Sequence, residues 1–196
     1  FMREGVNVYG GFAGTENART GRAMGSSDKP WDFVNQTIID GGGAVRAIES
    51  RANFTVETIL DGVTLTNGNG VSTSTSGTGG GIIIRPGFKV QKCIIKNNTT
   101  NAGGGGGVSM TGGSLAGSYI YKNTQTTNAN GGGGIHVNTA SGFETIIDNC
   151  TFEGNSSTIR GGALNVQGTG MTKMSGLVIF NNLADGKAGG AIYQNS

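Results

Sequence analysis

The chain contains few of the residues that form metal, redox or nucleic-acid sites. Of its 196 residues, 2 are cysteine and 1 is histidine, and no CxxC pair occurs. These counts argue against a zinc or redox centre built from cysteine and histidine. Charged residues make up 13% of the chain, the formal net charge is +2, and neither sign is gathered into a run. Since nucleic-acid binding needs a basic patch, we expect no nucleic-acid partner.

Long apolar runs and a helix-favouring composition are also lacking. No stretch approaches the roughly 20 apolar residues of a membrane span, and the opening FMREGVNVYGG lacks the apolar core of a signal peptide. We expect such an opening in a chain cut from a larger precursor. Glycine supplies 39 residues, proline only 2, and the apolar residues are largely Ile, Val and Phe. Glycine is unfavourable inside helices while β-branched and aromatic residues suit strands, so the composition favours an all-β fold.

A glycine cluster that runs into a short strand recurs along the chain. The copies are GGGIII from Gly79, GGGVSM from Gly105, GGGIHV from Gly132, GGALNV from Gly161 and GGAIYQ from Gly189. Their fourth positions are separated by 26, 27, 29 and 28 residues. Such a period, with short strands between glycine or asparagine, suits one turn of a three-sided coil.

A second repeat, an apolar residue followed three places later by asparagine, falls between the glycine clusters. Its asparagines are Asn98, Asn123, Asn155 and Asn182. In stacked rungs these four side chains form one column, in which each amide is expected to bond its neighbour in the next rung. A longer match supports the same period, because ETILDGVTLTNG from Glu57 aligns without gaps with ETIIDNCTFEGN from Glu144.

The two repeats together predict an all-β, right-handed parallel β-helix. We expect a single-stranded solenoid of pectate-lyase-like architecture with about six to seven rungs, stacked at roughly 4.8 Å. Inward columns should then be Ile, Val, Leu and Phe. Glycine and asparagine tolerate the left-handed backbone angles of corners, so Gly162 and Gly190 are expected to be structural.

The repeats predict one β-helix domain over residues 1–196, a fragment of a longer protein. The segment 15–35 departs from the repeat and is expected to be a long loop or a cap over the first rung. The Ser/Thr-rich stretch from Val71 is expected to be an insertion. The chain ends just after a repeat begins, so self-association through an uncapped C-terminal end is also expected.

The repeats resemble those of known protein families. GGAL at Gly161, GGAI at Gly189 and FEGN at Phe152 are similar to the GGA(I/L/V) and FxxN repeats of the chlamydial polymorphic outer-membrane proteins. VYGGFAGTE, TIIDGGG and LDGVTLTNG resemble the opening of secreted β-helix proteins of Bacteroidetes-type bacteria. The resemblance implies a secreted or cell-surface (outer-membrane) β-helix with adhesive or passenger-like roles.

The two cysteines provide a check on which residues are stacked in one column. Cys93 and Cys150 each precede a repeat asparagine by five residues, so they fall in one column with Ser118 between them. Two rungs separate the thiols by roughly 2 × 4.8 Å, beyond the limit of about 7 Å between the Cα atoms of a disulfide. The sequence therefore predicts free, buried thiols.

The only candidate metal ligands are the aspartates that precede corners. Asp40, Asp61 and Asp148 occupy the same place in TIIDG, TILDG and TIIDN. If Asp40 and Asp61 lay in adjacent rungs, their stacked carboxylates could share a Ca²⁺ ion. The alternative is that each aspartate accepts backbone N–H bonds at a turn.

No catalytic residue is indicated. Arg46, Glu49 and Arg51 form the only dense charged group, which is more typical of a solvated face. His136 alternates with Ile135 and Val137, so we expect an outward, exposed imidazole without a neighbouring nucleophile.

The leading hypothesis is a non-catalytic, adhesin-like or glycan-binding module whose partner is a polysaccharide or a host surface. The alternative is a polysaccharide lyase or a glycoside hydrolase-like enzyme, which would need an acidic and basic cluster in a groove.

Overall fold

The chain folds into stacked coils of short parallel strands. A computed structural model describes residues 1–70, 79–127, 131–186 and 188–195, and the insertion from Val71 lies outside these residues apart from its last glycine. Apart from one turn of 3₁₀-helix at Arg19–Gly21, the regular elements of the described part are β-strands. Across the same ranges, no helix is both long enough and apolar enough to cross a membrane.

The repeat length suggests a three-sided coil, but on each complete turn the chain passes through four parallel sheets in a fixed order. The first sheet contains β1 (Val8–Tyr9), β4 (Thr58–Asp61), β8 (Phe88–Gln91), β12 (Gly113–Ala116), β16 (Glu144–Asp148) and β20 (Met171–Ser175). The second contains β2 (Thr37–Asp40), β5 (Val63–Thr66), β9 (Ile94–Lys96), β13 (Tyr119–Tyr121), β17 (Thr151–Glu153) and β21 (Val178–Phe180). The third contains β6 (Asn69–Gly70), β10 (Thr99–Thr100), β14 (Thr124–Gln125), β18 (Ser156–Ser157) and β22 (Leu183–Ala184). The fourth contains β3 (Ile48–Glu49), β7 (Ile82–Ile84), β11 (Val108–Met110), β15 (Ile135–Thr139), β19 (Leu164–Gly168) and β23 (Ile192–Gln194).

The stacking confirms the predicted all-β parallel β-helix. Three sheets have six strands each, which enclose about five turns. The third sheet has five strands, because the first turn crosses that side in bends within residues 41–47. The described residues therefore form six stacked rungs, the first of them incomplete, which amount to about five full turns against the predicted six to seven rungs.

The interior is built from columns with one apolar side chain per rung. In the second sheet the fully buried column is Leu65, Ile95, Ile120 and Phe152. The matching column of the first sheet is Leu60, Val90, Leu115 and Ile147, and that of the fourth is Ile82, Val108, Ile135 and Leu164. Each such side chain contributes roughly 1.5–3 kcal/mol of burial free energy. Because side chains alternate along a strand, the residues on either side of each column face outward.

Left-handed residues form two corner columns. Between the first and second sheets they are Gly62, Lys92, Gly117, Asn149 and Gly176, with φ from +50° to +73°. Between the second and third sheets they are Asn67, Asn97, Lys122, Gly154 and Asn181, with φ from +50° to +62°. Glycine and asparagine fill eight of these ten positions. The exceptions are the two lysines, for which a left-handed backbone is unfavourable by about 1–2 kcal/mol.

The glycine clusters are required by close packing between rungs. Gly162 has an ordinary φ, yet a Cβ there would lie 2.3 Å from the carbonyl oxygen of Gly190. Gly106 and Gly133 are equally close to the next rung, with 2.4 Å between the Cβ position and a carbonyl oxygen. Gly190 continues the column in the last rung, where its Cβ position is open. Contact between rungs, and not a left-handed angle, therefore selects glycine in this column.

The thiols confirm the column assignment. Cys93 and Cys150 are both free and buried, and the Cys93 N–H donates to the Ser118 hydroxyl of the rung between them at 3.1 Å. Burial raises the pKa of each thiol to about 12. Both cysteines therefore act as small, unreactive inward side chains.

Candidate ligand-binding face

The asparagine repeat forms a continuous ladder inside the corner between the second and third sheets. The Nδ2 atoms of Asn98 and Asn123 each donate to the Oδ1 atom of the next asparagine at 3.0 Å, and Asn155 donates to Asn182 at 2.8 Å. Each Oδ1 atom also accepts the backbone N–H of the preceding asparagine. The ladder fixes the register of the outward side chains next to it.

Asp40 and Asp61 do not stack, so the shared Ca²⁺ site expected from their spacing is not formed. Asp40 pairs with Thr66 in the second sheet, whereas Asp61 pairs with Gln91 in the first. The step from Asp40 to its true partner is 26 residues, so 21 residues bring the chain only to the preceding sheet. Within the described residues, no group of three or more His, Cys, Asp or Glu side chains is arranged to hold a metal ion.

Each of these two aspartates has a structural partner. Asp40 accepts the Gly42 N–H at 2.7 Å and the Asn67 amide at 2.9 Å, and these bonds lower the pKa of its carboxyl group. Asp61 forms an ion pair with Arg22 at 2.5 Å, and both side chains are less than one-tenth exposed. Asp40 therefore caps a turn, while Asp61 anchors residues 15–35 to the solenoid.

The charged group of Arg46, Glu49 and Arg51 is only partly the solvated face that we expected. Arg46 is 7% exposed, pairs with Glu49 at 2.9 Å and donates to the Gly79 carbonyl of the next rung at 2.6 Å. Arg51 is 62% exposed and lies 3.5 Å from Glu49. The Arg46–Glu49 pair links two rungs, because Arg46 also donates to the Gly79 carbonyl.

His136 was expected to be exposed, and this is wrong. It faces outward between Ser109 and Asn165 of the neighbouring rungs, but it is only 8% exposed. The glycine connections lie against this sheet: a Cβ on Gly105 would come 2.7 Å from the His136 backbone nitrogen. Burial lowers the pKa of His136 to about 4, and its Nδ1 atom has no hydrogen-bond partner. Ser109 is adjacent, yet no hydrogen bond between described residues joins it to the imidazole.

The outer face of the second sheet carries a row of aromatic rings that the sequence reasoning missed. Tyr119 and Tyr121 flank the inward Ile120, and their ring centroids are 5.2 Å apart. Trp31 stacks on Tyr119 with 5.5 Å between centroids. We call Trp31, Tyr119 and Tyr121 the aromatic row. The YIY triplet before an asparagine of the ladder was the available signal for the tyrosines, but no local pattern placed Trp31 beside them.

Residues 15–35, the lateral segment, bring Trp31 to this face. The segment lies along the corner between the first and second sheets, where the Arg22 guanidinium reaches Asp61 and covers the Phe33 ring at 4.6 Å. Two rungs further along, Pro30 lies over Gly117, with 3.3 Å between its Cγ atom and the Cβ position of the glycine. These contacts hold Trp31 against the fourth rung.

Polar groups complete the aromatic row. The Tyr119 hydroxyl donates to the Glu153 carboxylate, and partial burial together with this bond raises the pKa of the phenol. The Lys122 ammonium lies 4.9 Å from the centroid of the Tyr121 ring, and Lys96 pairs with Tyr121 in the adjacent strand. The phenol therefore remains protonated, and the face presents ring edges, hydroxyls and ammonium groups to solvent.

Comparison with known proteins gives no match. No family model fits the chain, and no curated protein or solved structure is significantly similar to it.

Proposed function

We propose that the chain is a non-catalytic, secreted or cell-surface module that binds glycans at the aromatic row, in an adhesin-like role. The aromatic row is the observation that carries this proposal. Tyrosine and tryptophan combine apolar area with a polar tip and lose little conformational entropy on binding, which is why they dominate recognition sites. Hydroxyl and ammonium groups beside them supply the hydrogen bonds that a hydroxyl-rich ligand needs.

The repeat resemblance supports the proposed location. The GGA(I/L/V) and FxxN motifs resemble those of the chlamydial polymorphic outer-membrane proteins, and the N-terminal motifs resemble secreted β-helix proteins of Bacteroidetes-type bacteria. A polysaccharide or a host surface is the partner that this location offers. A largely polar outward column on the third sheet also supports a binding role; it consists of Asn69, Thr99, Thr124, Ser156 and then Leu183.

A polysaccharide lyase or glycoside hydrolase is the second candidate, favoured by a groove on the first sheet. Pro86, Phe143 and Ile146 line the groove. The Glu57–Lys89 and Glu144–Lys173 ion pairs lie on the same sheet. Each carboxylate is paired with a lysine, and both pairs lie at the solvent-exposed surface, where such ion pairs are common without a catalytic role.

Binding and turnover, measured together, separate the two candidates. The chain is screened against acidic and neutral polysaccharides with and without Ca²⁺, and both bound polymer and released unsaturated or reducing ends are recorded. We expect binding without release, and Tyr121→Ala to weaken it at least tenfold, or about 1.4 kcal/mol. Phe143→Ala, an exposed aromatic in the first-sheet groove, is the matched control and should change affinity less than twofold. Release of sugar ends that is lost in Phe143→Ala would favour the enzyme.

A further inference from the structure

We propose that the ligand of the aromatic row is an anionic polysaccharide, whose carboxylates are bound by Lys92, Lys96 and Lys122. This inference rests on the proposed function and adds the chemical class of the glycan. Two observations support it. The first is the position of the lysines in the two corner columns, and the second is the difference between lysines that form an ion pair with a carboxylate and lysines that do not.

One lysine occurs in each of the two corner columns that border the second sheet. Lys92 is the left-handed residue between β8 and β9, and Lys122 is the left-handed residue that follows β13. Every other residue of the two corner columns is glycine or asparagine. A lysine in this conformation is unfavourable for the backbone, and unfavourable backbone conformations are concentrated at functional sites. The two exceptions lie in the third and fourth rungs: Lys122 covers the Tyr121 ring, and Lys92 lines a pocket with Arg22 of the lateral segment.

These lysines are available for an external anion. Lys92 and Lys122 are exposed and Lys96 is half-buried, and none forms an ion pair with a carboxylate in the part of the chain that the structure describes. Lys89 and Lys173 on the first sheet are, in contrast, paired with Glu57 and Glu144.

The second sheet therefore offers positive charge that the protein itself does not neutralise. Two carboxylates lie in the outward column of this sheet: Glu153 accepts the hydrogen bond from Tyr119, and Asp40, in the first rung, accepts from Gly42 and Asn67. Three lysines beside two engaged carboxylates leave positive charge for a ligand that carries regularly spaced negative charges.

The arrangement of the rings favours a glycan over a single-stranded nucleic acid. Tyr119 is stacked between Trp31 and Tyr121, and the Lys122 ammonium lies over Tyr121. Bases bind by stacking on open ring faces. The aromatic row instead presents ring edges and polar tips, which suit hydroxyl and carboxylate groups.

The test replaces both corner lysines by the residue that other rungs use. The double variant Lys92→Asn, Lys122→Asn removes two charges and relieves two unfavourable backbone positions, so its thermal unfolding midpoint should be unchanged or higher. The control Lys89→Gln, Lys173→Gln removes the same charge from the first sheet. Affinities of the full chain and both variants are measured for polygalacturonate, for neutral dextran and for poly(dT), at low and high salt.

We expect salt-dependent binding of polygalacturonate in preference to dextran, weakened about tenfold by the corner variant and less than twofold by the control. Equal binding of dextran, unaffected by the corner variant, would overturn this inference and leave the proposed function standing. Equal losses in both variants would show non-specific attraction and overturn the inference. Preference for poly(dT), or binding of none of the three, would overturn the inference and the proposed function together.

Discussion

Replacement of a central asparagine of the ladder tests how the solenoid is held together. Asn123→Ala removes four hydrogen bonds: two donated by its amide, to Ile95 O and Asn155 Oδ1, and two accepted from Asn98. The Asn98 backbone N–H is buried and loses its acceptor. At about 1 kcal/mol for each of the other three bonds and about 1–3 kcal/mol for the orphaned donor, the free energy of unfolding should fall by about 4–6 kcal/mol. That is comparable to the whole stability of a typical domain.

The same substitution at the end of the ladder is the matched control. Asn182 accepts two bonds from Asn155, but it lies in the last rung and is only half-buried. Water can replace many of the hydrogen bonds that Asn182→Ala removes, so the free energy of unfolding should fall by only about 1–2 kcal/mol.

Urea unfolding followed by far-UV circular dichroism and by Trp31 fluorescence gives both values, provided the two probes coincide as a cooperative transition requires. If the free energy of unfolding falls equally in the two variants, or by less than about 1 kcal/mol in Asn123→Ala, the ladder is a consequence of the fold and does not stabilise it.

Two further predictions concern His136 and the lateral segment. Burial lowers the pKa of His136 from 6.5 in the unfolded chain to about 4. Between these values the unfolded chain binds the extra proton, so the free energy of unfolding should fall by ~3 kcal/mol as the pH drops from about 6.5 to 4. Urea titrations of the protein and of His136→Gln should diverge over that window, and parallel curves would contradict the burial. Asp61→Asn leaves Arg22 without its buried partner, so the segment should detach. Trp31 emission should then shift to longer wavelength while the far-UV signal is kept, and an unchanged emission would show that other contacts suffice.

The sequence could predict the rung because the rung is defined by short-range spacing. Five residues separate the cysteine column from the asparagine column in every copy, as with Cys93 and Asn98, so the two columns follow from counting. The glycine clusters recur at nearly the same interval, since each is required by contact with the next rung. What repeats in the fold therefore also repeats in the sequence.

The candidate site could not be predicted in the same way, because it depends on what does not repeat. TIIDG and TILDG look equivalent, but their strands pair with different partners, so Asp40 and Asp61 fall in different sheets. His136 alternates with apolar neighbours as an exposed residue would, but it is 8% exposed, and a glycine of the preceding rung packs against its backbone. Trp31 reaches Tyr119 from 88 residues away through an ion pair that no local pattern encodes.

The turns differ in length mainly outside the second sheet, and this makes that sheet the suitable place for a binding surface. The cysteine-to-asparagine spacing is constant, whereas the connection from the third to the fourth sheet changes from rung to rung, as between Gly70 and Ile82 or Ser157 and Leu164. The glycine clusters at the ends of those connections lie against the fourth sheet, where the Cβ positions of Gly105 and Gly132 are 2.7 and 2.9 Å from the backbone nitrogens of His136 and Asn165. The second sheet is instead fixed on one side by the cysteine column and on the other by the asparagine ladder. Its outward residues can change without loss of register, and a face held rigidly at about 4.8 Å per rung is preorganised for a repeating ligand.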